Sequence, residues 1–315
     1  MQYRPLGKTG LNVSPLTIGA WQLGGPLSFD GKPDGHPDPG EDHVLRMIHE
    51  LDDCGINAID TAEQYSGGES ERRVGEALRG RRDHWVISTK FGYRVGPGNT
   101  REDNSSPETI LPSLEGSLRR LKTDYIDVYL YHCAPEIRNL DAGREVLEAA
   151  RQQGKIRFYG ISTNHTELVR AMTEHRAVEV VQFAFSLLEP ADELSRLAAE
   201  QQLGTQVRGV MAGGRLSGKY FHRRPEWRPD DNRSDRCADI DFQKYAAFEK
   251  VLPEGYTMAQ AALRWVLDRP EHHTVCMGAK RIEDYRTALA ALQLPPLTAE
   301  ACAALENCAA ALRDR

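Results

Sequence analysis

Four titratable residues lie at or just beyond the ends of short apolar runs. They are Asp60 in INAID, Tyr65 five residues later, Lys90 in WVISTK and His132 in DYIDVYLYH. An ammonium about 4 Å from a phenol contributes about 4 kcal/mol at an effective dielectric near 20, which favours the phenolate until desolvation opposes it. The pattern therefore predicts Tyr65 as a proton donor tuned by Lys90, Asp60 as the partner of that ammonium, and His132 as a group that orients a carbonyl oxygen.

Each of the four has an ordinary structural explanation when it is taken alone. Asp60 could cap a turn, Lys90 could be a solvated strand end, Tyr65 a loop aromatic, and His132 a hydrogen-bonded core histidine. Their occurrence on consecutive strands favours the catalytic interpretation. The sequence offers no nucleophile paired with a base and no HxH, HExxH or cysteine cluster. We therefore expect no metal site, and we expect the hydride or electrons to come from outside the chain.

The elements that must position these residues are short β-branched runs separated by amphipathic helical stretches. Such alternation is typical of a parallel sheet covered by helices. We predict strands at Leu16–Ala20, Ile56–Asp60, Trp85–Thr89, Ile126–Tyr131, Phe158–Ser162, Val178–Phe183, Gln206–Val210 and Thr274–Met277. One helix is predicted to begin at Pro107 with Ser106 as its N-cap, and Pro112 inside it predicts a kink or a later start.

Eight strand–helix units without a linker predict an α/β fold of the (β/α)8 TIM-barrel type, with residues 1–315 forming one domain. A short N-terminal extension precedes the first unit. Three long segments follow predicted strands, at residues 23–40, 92–106 and 221–242. Each follows the carboxyl end of a strand, which is the face where barrel enzymes build their sites.

Composition narrows the possible partners and the compartment. The 315 residues carry a net charge of −6, which opposes the phosphate backbone of nucleic acid. No stretch approaches the roughly 18 apolar residues that a membrane span requires, and the N-terminus has no signal-peptide pattern. The six cysteines are scattered, with no CxxC pair. We expect a cytoplasmic protein with a small-molecule substrate and no nucleic-acid or membrane partner; its oligomeric state is left open.

The motifs INAIDTAEQY, ISTKFG, LKTDYIDVYLYH, GKIRFYGIS, VVQFAFSLLEP and GGRLSGKY together resemble the aldo-keto reductases, in order along nearly the whole chain. The resemblance implies a (β/α)8 barrel that binds an extended nicotinamide dinucleotide without a Rossmann domain. It also implies Tyr65 as the acid/base, Lys90 and Asp60 as its pKa partners, and His132 as the substrate-orienting residue.

The resemblance further implies cofactor-binding positions. Ser162 and Gln182 correspond to residues that hold the nicotinamide amide, Arg208 lies beneath the ring, and a loop that wraps the pyrophosphate follows. The usual asparagine after the serine is replaced by Thr163, so either Thr163 or Asn164 would bind the carboxamide. The cofactor-binding residues are predicted to be Ser162, Asn164, Gln182, Arg208, Gly209, Gly214, Lys219, Gly278, Lys280 and Arg281. Asp284 stands where the family has a glutamine or arginine.

The activity implied is that of an oxidoreductase, an NADP(H)-preferring aldo-keto reductase with NAD(H) possible, acting on an aldehyde or ketone or on the corresponding alcohol or sugar. Trp21 and Phe91 are predicted as apolar walls of the substrate pocket, although either could be core. Two alternatives stay open. One is a barrel that senses redox state or docks on a partner with little turnover, and the other is a lyase or isomerase that uses Lys90 as a Schiff-base amine.

Overall fold

A computed structural model describes residues 1–313 and contains a closed barrel of parallel strands. Each strand pairs with its neighbours in chain order, and the last pairs with the first. The barrel strands, labelled β1 to β8, are Leu16–Gly19, Ala58–Asp60, Val86–Phe91, Ile126–Tyr131, Ile156–Ser162, Val180–Ala184, Gly204–Arg208 and Thr274–Met277. The (β/α)8 architecture predicted from the sequence is therefore confirmed.

The strand bounds agree with the predicted ones to within two residues at most ends. Two strands, β4 and β8, have the predicted bounds. One strand, β7, is shifted by two residues at both ends, and it ends at Arg208 instead of Val210. The reason is Gly209, whose φ of +74° lies in the left-handed region and turns the chain out of the sheet. This turn leaves Arg208 as the last residue of the strand, at the mouth.

Most of the helices cover the outside of the barrel because they have one apolar face to bury. Within the described residues, α1 to α10 are Glu41–Asp53, Glu69–Ala77, Pro107–Leu121, Leu140–Gln152, Thr166–Glu174, Asp192–Glu200, Arg233–Arg236, Met258–Leu267, Ile282–Ala291 and Ala299–Arg313. The predicted start of α3 at Pro107 and the N-cap position of Ser106 are confirmed. The helix begins at Pro107, not later, and Ser106 occupies the N-cap position without a side-chain capping bond.

The N-terminal extension closes the end of the barrel opposite the mouth. A two-stranded hairpin pairs Arg4–Pro5 with Asn12–Val13. It buries Leu6 and Val13 against a small cluster of apolar barrel residues. Burial of this kind contributes roughly 1.5–3 kcal/mol for each large apolar side chain, so packing stabilises this end of the barrel.

Three long loops cover the mouth of the barrel and contact one another. The first contains the hairpin Ser28–Phe29 with Lys32–Pro33, and the second the hairpin Tyr93–Val95 with Arg101–Asp103. The third contains α7. Arg101 donates to Asp34 over 2.7 Å, and the amide N–H of Asn232 donates to the carbonyl of Gly35 over 3.1 Å. The first loop therefore contacts both of the others at the mouth of the barrel.

None of the helices within residues 1–313 is long and apolar enough to cross a membrane. Asp314 and Arg315 lie outside the described residues. The assignment of residues 1–315 to one domain stays a prediction.

Candidate active site

Four side chains predicted to do chemistry meet at the carboxyl ends of β2, β3 and β4; we call them the catalytic cluster (Asp60, Tyr65, Lys90 and His132). Asp60 ends β2 and Lys90 is the penultimate residue of β3. Side chains alternate across a strand, so Lys90 points into the barrel while its neighbours point toward the helices. Tyr65 begins a short turn, Tyr65–Gly68, which we call the tyrosine turn.

The Lys90 ammonium joins Asp60 and Tyr65. It donates to Asp60 Oδ2 over 2.7 Å, to the Thr61 carbonyl over 2.9 Å and to the Tyr65 hydroxyl over 3.1 Å. Lys90 is fully buried and the Asp60 side chain is 6% exposed. Three acceptors match the three protons of an ammonium. Because the tyrosine oxygen accepts from Lys90, its own proton remains available to a substrate oxygen.

The electrostatics of this group differ in one respect from the sequence-based expectation. Burial would lower the pKa of Lys90, but the adjacent Asp60 and Tyr65 outweigh burial and raise it, so Lys90 is a cation. For Tyr65, burial raises the pKa above 10 although Lys90 acts to lower it. The lysine therefore opposes the desolvation of the phenol without overcoming it. The phenol is protonated at neutral pH, and a charged Lys90 disfavours the Schiff-base alternative, which needs a neutral amine.

His132 packs edge-on against the tyrosine ring, with the ring centroids 5.7 Å apart and the planes at 82°. Burial and the nearby Lys90 lower its pKa well below 6.5, so the imidazole is neutral. Its Nδ1 is buried and has no hydrogen-bond partner among the described residues. A neutral imidazole facing Tyr65 can donate a hydrogen bond from its N–H to a substrate oxygen. Because it carries no charge, it does not compete with the Lys90 ammonium for a negatively charged partner.

The predicted cofactor residues of β5 and β6 reach the catalytic cluster directly. Ser162 Oγ donates to Gln182 Oε1 over 3.1 Å, and Gln182 Nε2 donates to Asp60 Oδ1 over 2.8 Å. Gln182 therefore connects the predicted amide-binding position to the carboxylate that pairs with Lys90. The side-chain amide of Asn164 bonds the backbone N–H and C=O of Ala184, and Arg208 donates to it over 3.4 Å.

The positively charged residues predicted to hold phosphate lie along the loops after β7 and β8; we call them the cation rim (Lys219, Lys280 and Arg281). Each is near a carboxylate. Lys219 Nζ lies 2.5 Å from Asp284, Lys280 Nζ lies 3.6 Å from Asp231, and Arg281 Nε lies 3.7 Å from Glu283. A phosphate at this rim would have to compete with these carboxylates.

The predicted glycines lie in the same loops as the rim. Gly209 and Gly214 have φ of +74° and +99°. Gly278 follows β8, packed against the Gln22 side chain. Left-handed turns that only glycine adopts easily let backbone N–H groups approach a ligand closely.

The two predicted substrate walls have different positions. Trp21 lies in the site: its ring centroid is 5.9 Å from that of Tyr65, with an interplanar angle of 25°. Phe91 does not lie in the site. It is fully buried in the layer between barrel and helices, where it stacks on Tyr129 and packs against the tilted ring of Tyr131. The pleat explains this correction, because Lys90 points inward and the next residue must point outward.

Sequence reasoning missed several residues of the site. His36, from the first long loop, is 3% exposed and lies edge-on to Trp21, and its Nδ1 is 3.4 Å from Asp231. Loop residues of this kind carry no periodic signal. Glu71, in contrast, lies in a helix with a clear apolar period. It precedes Val74 by three residues and Leu78 by seven, so it lies on the buried face of α2. An acid on an apolar face calls for a buried partner, and that signal could have been used.

The donor set of the mouth suits a nicotinamide dinucleotide. Ser162 and Gln182, which are predicted to bind the amide, connect to the catalytic cluster through Asp60, and the glycine turns and cation rim lie in the loops after β7 and β8. A phenol held by a buried ammonium–carboxylate pair can protonate a substrate oxygen, as reduction of a carbonyl requires. Residues 15–310 match the model of the Aldo/keto reductase family, and the chain belongs to that family.

The comparisons with individual proteins agree with this assignment. The chain is 29% identical to the uncharacterized oxidoreductase YqkF of Bacillus subtilis, over 98% of this chain and 96% of the relative. It is 28% identical to the NADH-specific methylglyoxal reductase of Escherichia coli, over 93% and 94%. The glycerol dehydrogenase AKR11B4 from Gluconobacter oxydans has a similar structure, with a TM-score of 0.83 and 28% identity over 98% of this chain and 95% of that one.

Proposed function

We propose that the protein is an NAD(P)H-dependent carbonyl reductase in which Tyr65 donates the proton to the substrate oxygen. The observation that carries this proposal is the unbroken contact from Asp60 through Lys90 to the Tyr65 hydroxyl, at distances of 2.7 and 3.1 Å. When bound, the cofactor supplies or accepts the hydride. In the reverse direction the tyrosine oxygen accepts the proton of the alcohol.

Residues of this chain perform the proton transfer, stabilise the developing charge and position the substrate. Tyr65 transfers a proton at its hydroxyl, a contribution typically worth 10²–10⁴-fold in rate. Lys90 stabilises the charge that develops on the phenol oxygen, and Asp60 holds Lys90 charged and in place. The neutral His132 sets the position of the carbonyl oxygen. The Trp21 indole forms an apolar wall that limits water beside the phenol.

The cofactor would be held along the β5 to β8 side of the mouth. We assign the carboxamide to Ser162 and Gln182, with Asn164 fixing Arg208 beneath the ring. Gly209 and Gly214 would give the loop its turns around the pyrophosphate, and Gly278 with the cation rim would hold the adenosine phosphate. We propose a modest preference for NADP(H) with NAD(H) accepted, since the rim cations are partly neutralised by neighbouring carboxylates.

The substrate is proposed to be a small aldehyde or ketone, or the corresponding alcohol or sugar. Methylglyoxal and glycerol are suitable first probes because the names of two similar proteins specify them. We propose a cytoplasmic location, which the six free cysteines support since thiols persist in reducing compartments.

The test is a fluorescence titration of the purified protein with NADPH and NADH, followed by a screen of carbonyl and alcohol substrates. Saturable binding together with turnover of at least one carbonyl is expected. Binding without turnover of any substrate in the screen would instead favour the redox-sensing or partner-docking alternative. Trapping of Lys90 by borohydride in the presence of a carbonyl would favour the Schiff-base alternative.

A further inference from the structure

Two carboxylates flank the tyrosine turn and are withdrawn from water. Glu63 precedes Tyr65 by two residues, and its side chain is 7% exposed. Glu71 follows Tyr65 by six residues and is fully buried. Removing a carboxylate from water costs several kcal/mol unless partners replace the solvent, so the partners of these two groups define what they hold in place.

Glu71 bonds to the strand that carries Lys90. Its Oε1 accepts a hydrogen bond from the Thr89 hydroxyl over 2.6 Å, and Thr89 directly precedes Lys90 in β3. Its Oε2 accepts from Arg120 Nε, also over 2.6 Å. Both oxygens are therefore occupied, one by the lysine-bearing strand and the other by α3.

Arg120 in turn lies against the tyrosine turn. A Cβ placed on Gly68, the last residue of the turn, would approach Arg120 Cδ to 2.5 Å. The φ of Gly68 is +93°, a conformation that side-chain-bearing residues rarely adopt. The turn is thus confined between α3 and the barrel, and Glu71 fixes the arginine that confines it.

Glu63 makes equivalent contacts on the other side of the turn. Its Oε1 accepts from the backbone N–H of Gly92 over 2.9 Å and from the Ser113 hydroxyl over 3.3 Å, and Arg94 lies 3.7 Å away. Its own N–H donates to the carbonyl of Lys90 over 3.1 Å. The two carboxylates therefore contact the chain on both sides of Lys90, at Thr89 within β3 and at Gly92 directly after it.

From these contacts we infer that Glu63 and Glu71 are positioning residues, which hold the Tyr65 hydroxyl at its hydrogen-bonding distance from Lys90. Neither touches the reacting atoms. They act by fixing the tyrosine turn to the strand that carries the lysine and to α3. The inference rests on the proposed role of Tyr65. A displacement of about 1 Å at a catalytic group can cost on the order of 10²-fold in rate, so a modest loosening of the turn has a measurable effect.

Thr89 offers the most specific test, because its hydroxyl is the only group altered in Thr89→Val. The probes are methylglyoxal and saturating NADPH, or NADH if that is the cofactor bound. We expect Thr89→Val to lower kcat about tenfold or more. We also expect it to move the pH midpoint of kcat upward, because a weaker Lys90 contact no longer opposes the desolvation of the phenol. KM and the cofactor Kd should change little, and Thr89→Ser should restore both kcat and the midpoint.

Thr205→Val is the matched control. Thr205 is equally buried, and its hydroxyl donates to the Glu271 carbonyl over 2.6 Å at the opposite end of the barrel. The Thr205→Val variant should be less stable than the wild type, with no change in kcat or in the pH midpoint of kcat. Glu71→Gln, which keeps an acceptor for Thr89 but loses the ion pair with Arg120, should fall between wild type and Thr89→Val. If Glu71→Gln fails to fold, the threonine variants still test the positioning role.

Two outcomes would overturn the inference. One is a Thr89→Val enzyme with wild-type kcat and pH midpoint and a loss of stability like that of Thr205→Val. The other is a Thr89→Ser enzyme as impaired as Thr89→Val. Tyr65→Phe, assayed alongside, separates this inference from the proposed function: if it stays active, the role of Tyr65 fails, whereas if it is inactive while Thr89→Val is fully active, only the positioning role fails.

Discussion

The catalytic cluster and the cation rim both bring charged side chains to one face of the barrel. They differ in how deeply these charges are buried and in how many partners each charge has. In the catalytic cluster, Lys90 and Asp60 are buried, and the ammonium has three acceptors within 3.1 Å. In the cation rim, the side chains are 25–65% exposed, and each lies near one carboxylate, which is partly exposed beside Lys219 and Arg281 but buried beside Lys280.

The difference in burial changes what each charge contributes. A buried ion pair that loses one partner leaves an uncompensated charge, which costs roughly 3–5 kcal/mol. An exposed pair contributes about 0–1 kcal/mol, so it can exchange its carboxylate for a ligand phosphate at little cost. The catalytic cluster is therefore fixed in advance, whereas the cation rim can change partners. Substitutions in the first should act on rate and stability together, and those in the second should act on ligand affinity alone.

The largest effect is expected for Tyr65→Phe, which removes only the hydroxyl that Lys90 contacts. The rate of carbonyl reduction should fall by 10²-fold or more, since that is the usual worth of a general acid. Cofactor affinity should persist because the ring still packs on Trp21. Steady-state kinetics and a cofactor titration measure the two quantities.

Tyr159→Phe is a control for loss of a tyrosine hydroxyl. That hydroxyl donates to Glu148 over 2.6 Å on the helix-facing side of β5, away from the mouth. Its removal should leave kcat unchanged.

Retention of more than about a tenth of the activity in Tyr65→Phe would contradict the acid role of Tyr65.

Lys90→Met should remove nearly all activity at neutral pH and also destabilise the protein. The substitution removes the cation that opposes the desolvation of Tyr65, so the tyrosine pKa should rise further above 10 and the phenol should become a weaker acid. It also leaves Asp60 buried without its cation, at a cost of roughly 3–5 kcal/mol. Chemical denaturation and the pH dependence of kcat test both effects. A pH–rate profile identical to that of wild type would exclude this role for Lys90.

The catalytic cluster could be predicted from the sequence because strand ends fix it. Once β2, β3 and β4 are recognised as consecutive parallel strands, Asp60, Lys90 and His132 must share the mouth. The same period of two could have excluded Phe91, since a residue adjacent to the inward-pointing Lys90 points outward. The sign of the Tyr65 pKa shift could not be predicted, because it depends on how much burial the fold imposes on the phenol.

The contacts of the cation rim could not be predicted in this way. Lys219 and Asp284 are 65 residues apart in sequence, and the pair joins a loop without periodicity to the first turn of α9. Asp231 and His36 likewise meet across two long loops. The resemblance to a family supplied the cations, but the carboxylates that oppose them belong to this chain and required the structure.

Gln182→Met should have an intermediate effect, since Gln182 links the cofactor side to the catalytic cluster. It removes the hydrogen bond to Asp60, and a bond to a charged group is worth about 1.5–3 kcal/mol. We expect kcat and cofactor affinity each to fall about tenfold, since about 1.4 kcal/mol corresponds to one decade. Stopped-flow kinetics with preloaded cofactor separates the two effects.

Gln206→Met is the matched control for that variant. Gln206 is also 1% exposed inside the barrel, on the neighbouring strand. It donates to Ser88 over 2.6 Å and accepts from Gln182 over 3.2 Å, but it makes no hydrogen bond to Asp60 among the described residues. The two variants should lose similar stability, and only Gln182→Met should lose rate. Equal kinetic losses in both would show that the contact with Asp60 has no special role.

The smallest effect is expected at the cation rim, in the preference between NADPH and NADH. Arg281 is the most exposed of the three cations, at 65%, so its Glu283 pair should yield to a phosphate. Lys280 has less freedom, because its partner Asp231 is 3% exposed and is also held by Arg233 over 2.6 Å. A charge-assisted hydrogen bond worth about 1.5–3 kcal/mol, reduced by these carboxylates, leaves a preference for NADPH of about tenfold.

Dissociation constants for both cofactors in three variants test this estimate. Arg281→Ala should weaken NADPH binding about tenfold and NADH binding little, if it contacts the extra phosphate. Asp284→Asn should strengthen NADPH binding, because it frees Lys219 from the carboxylate 2.5 Å away. Arg286→Ala removes an exposed arginine of α9, which pairs with Glu50, and should leave the ratio of the two dissociation constants unchanged. Tighter binding of NADH than NADPH by the wild type, or equal weakening of both by Arg281→Ala, would mean that the cation rim does not distinguish the two cofactors.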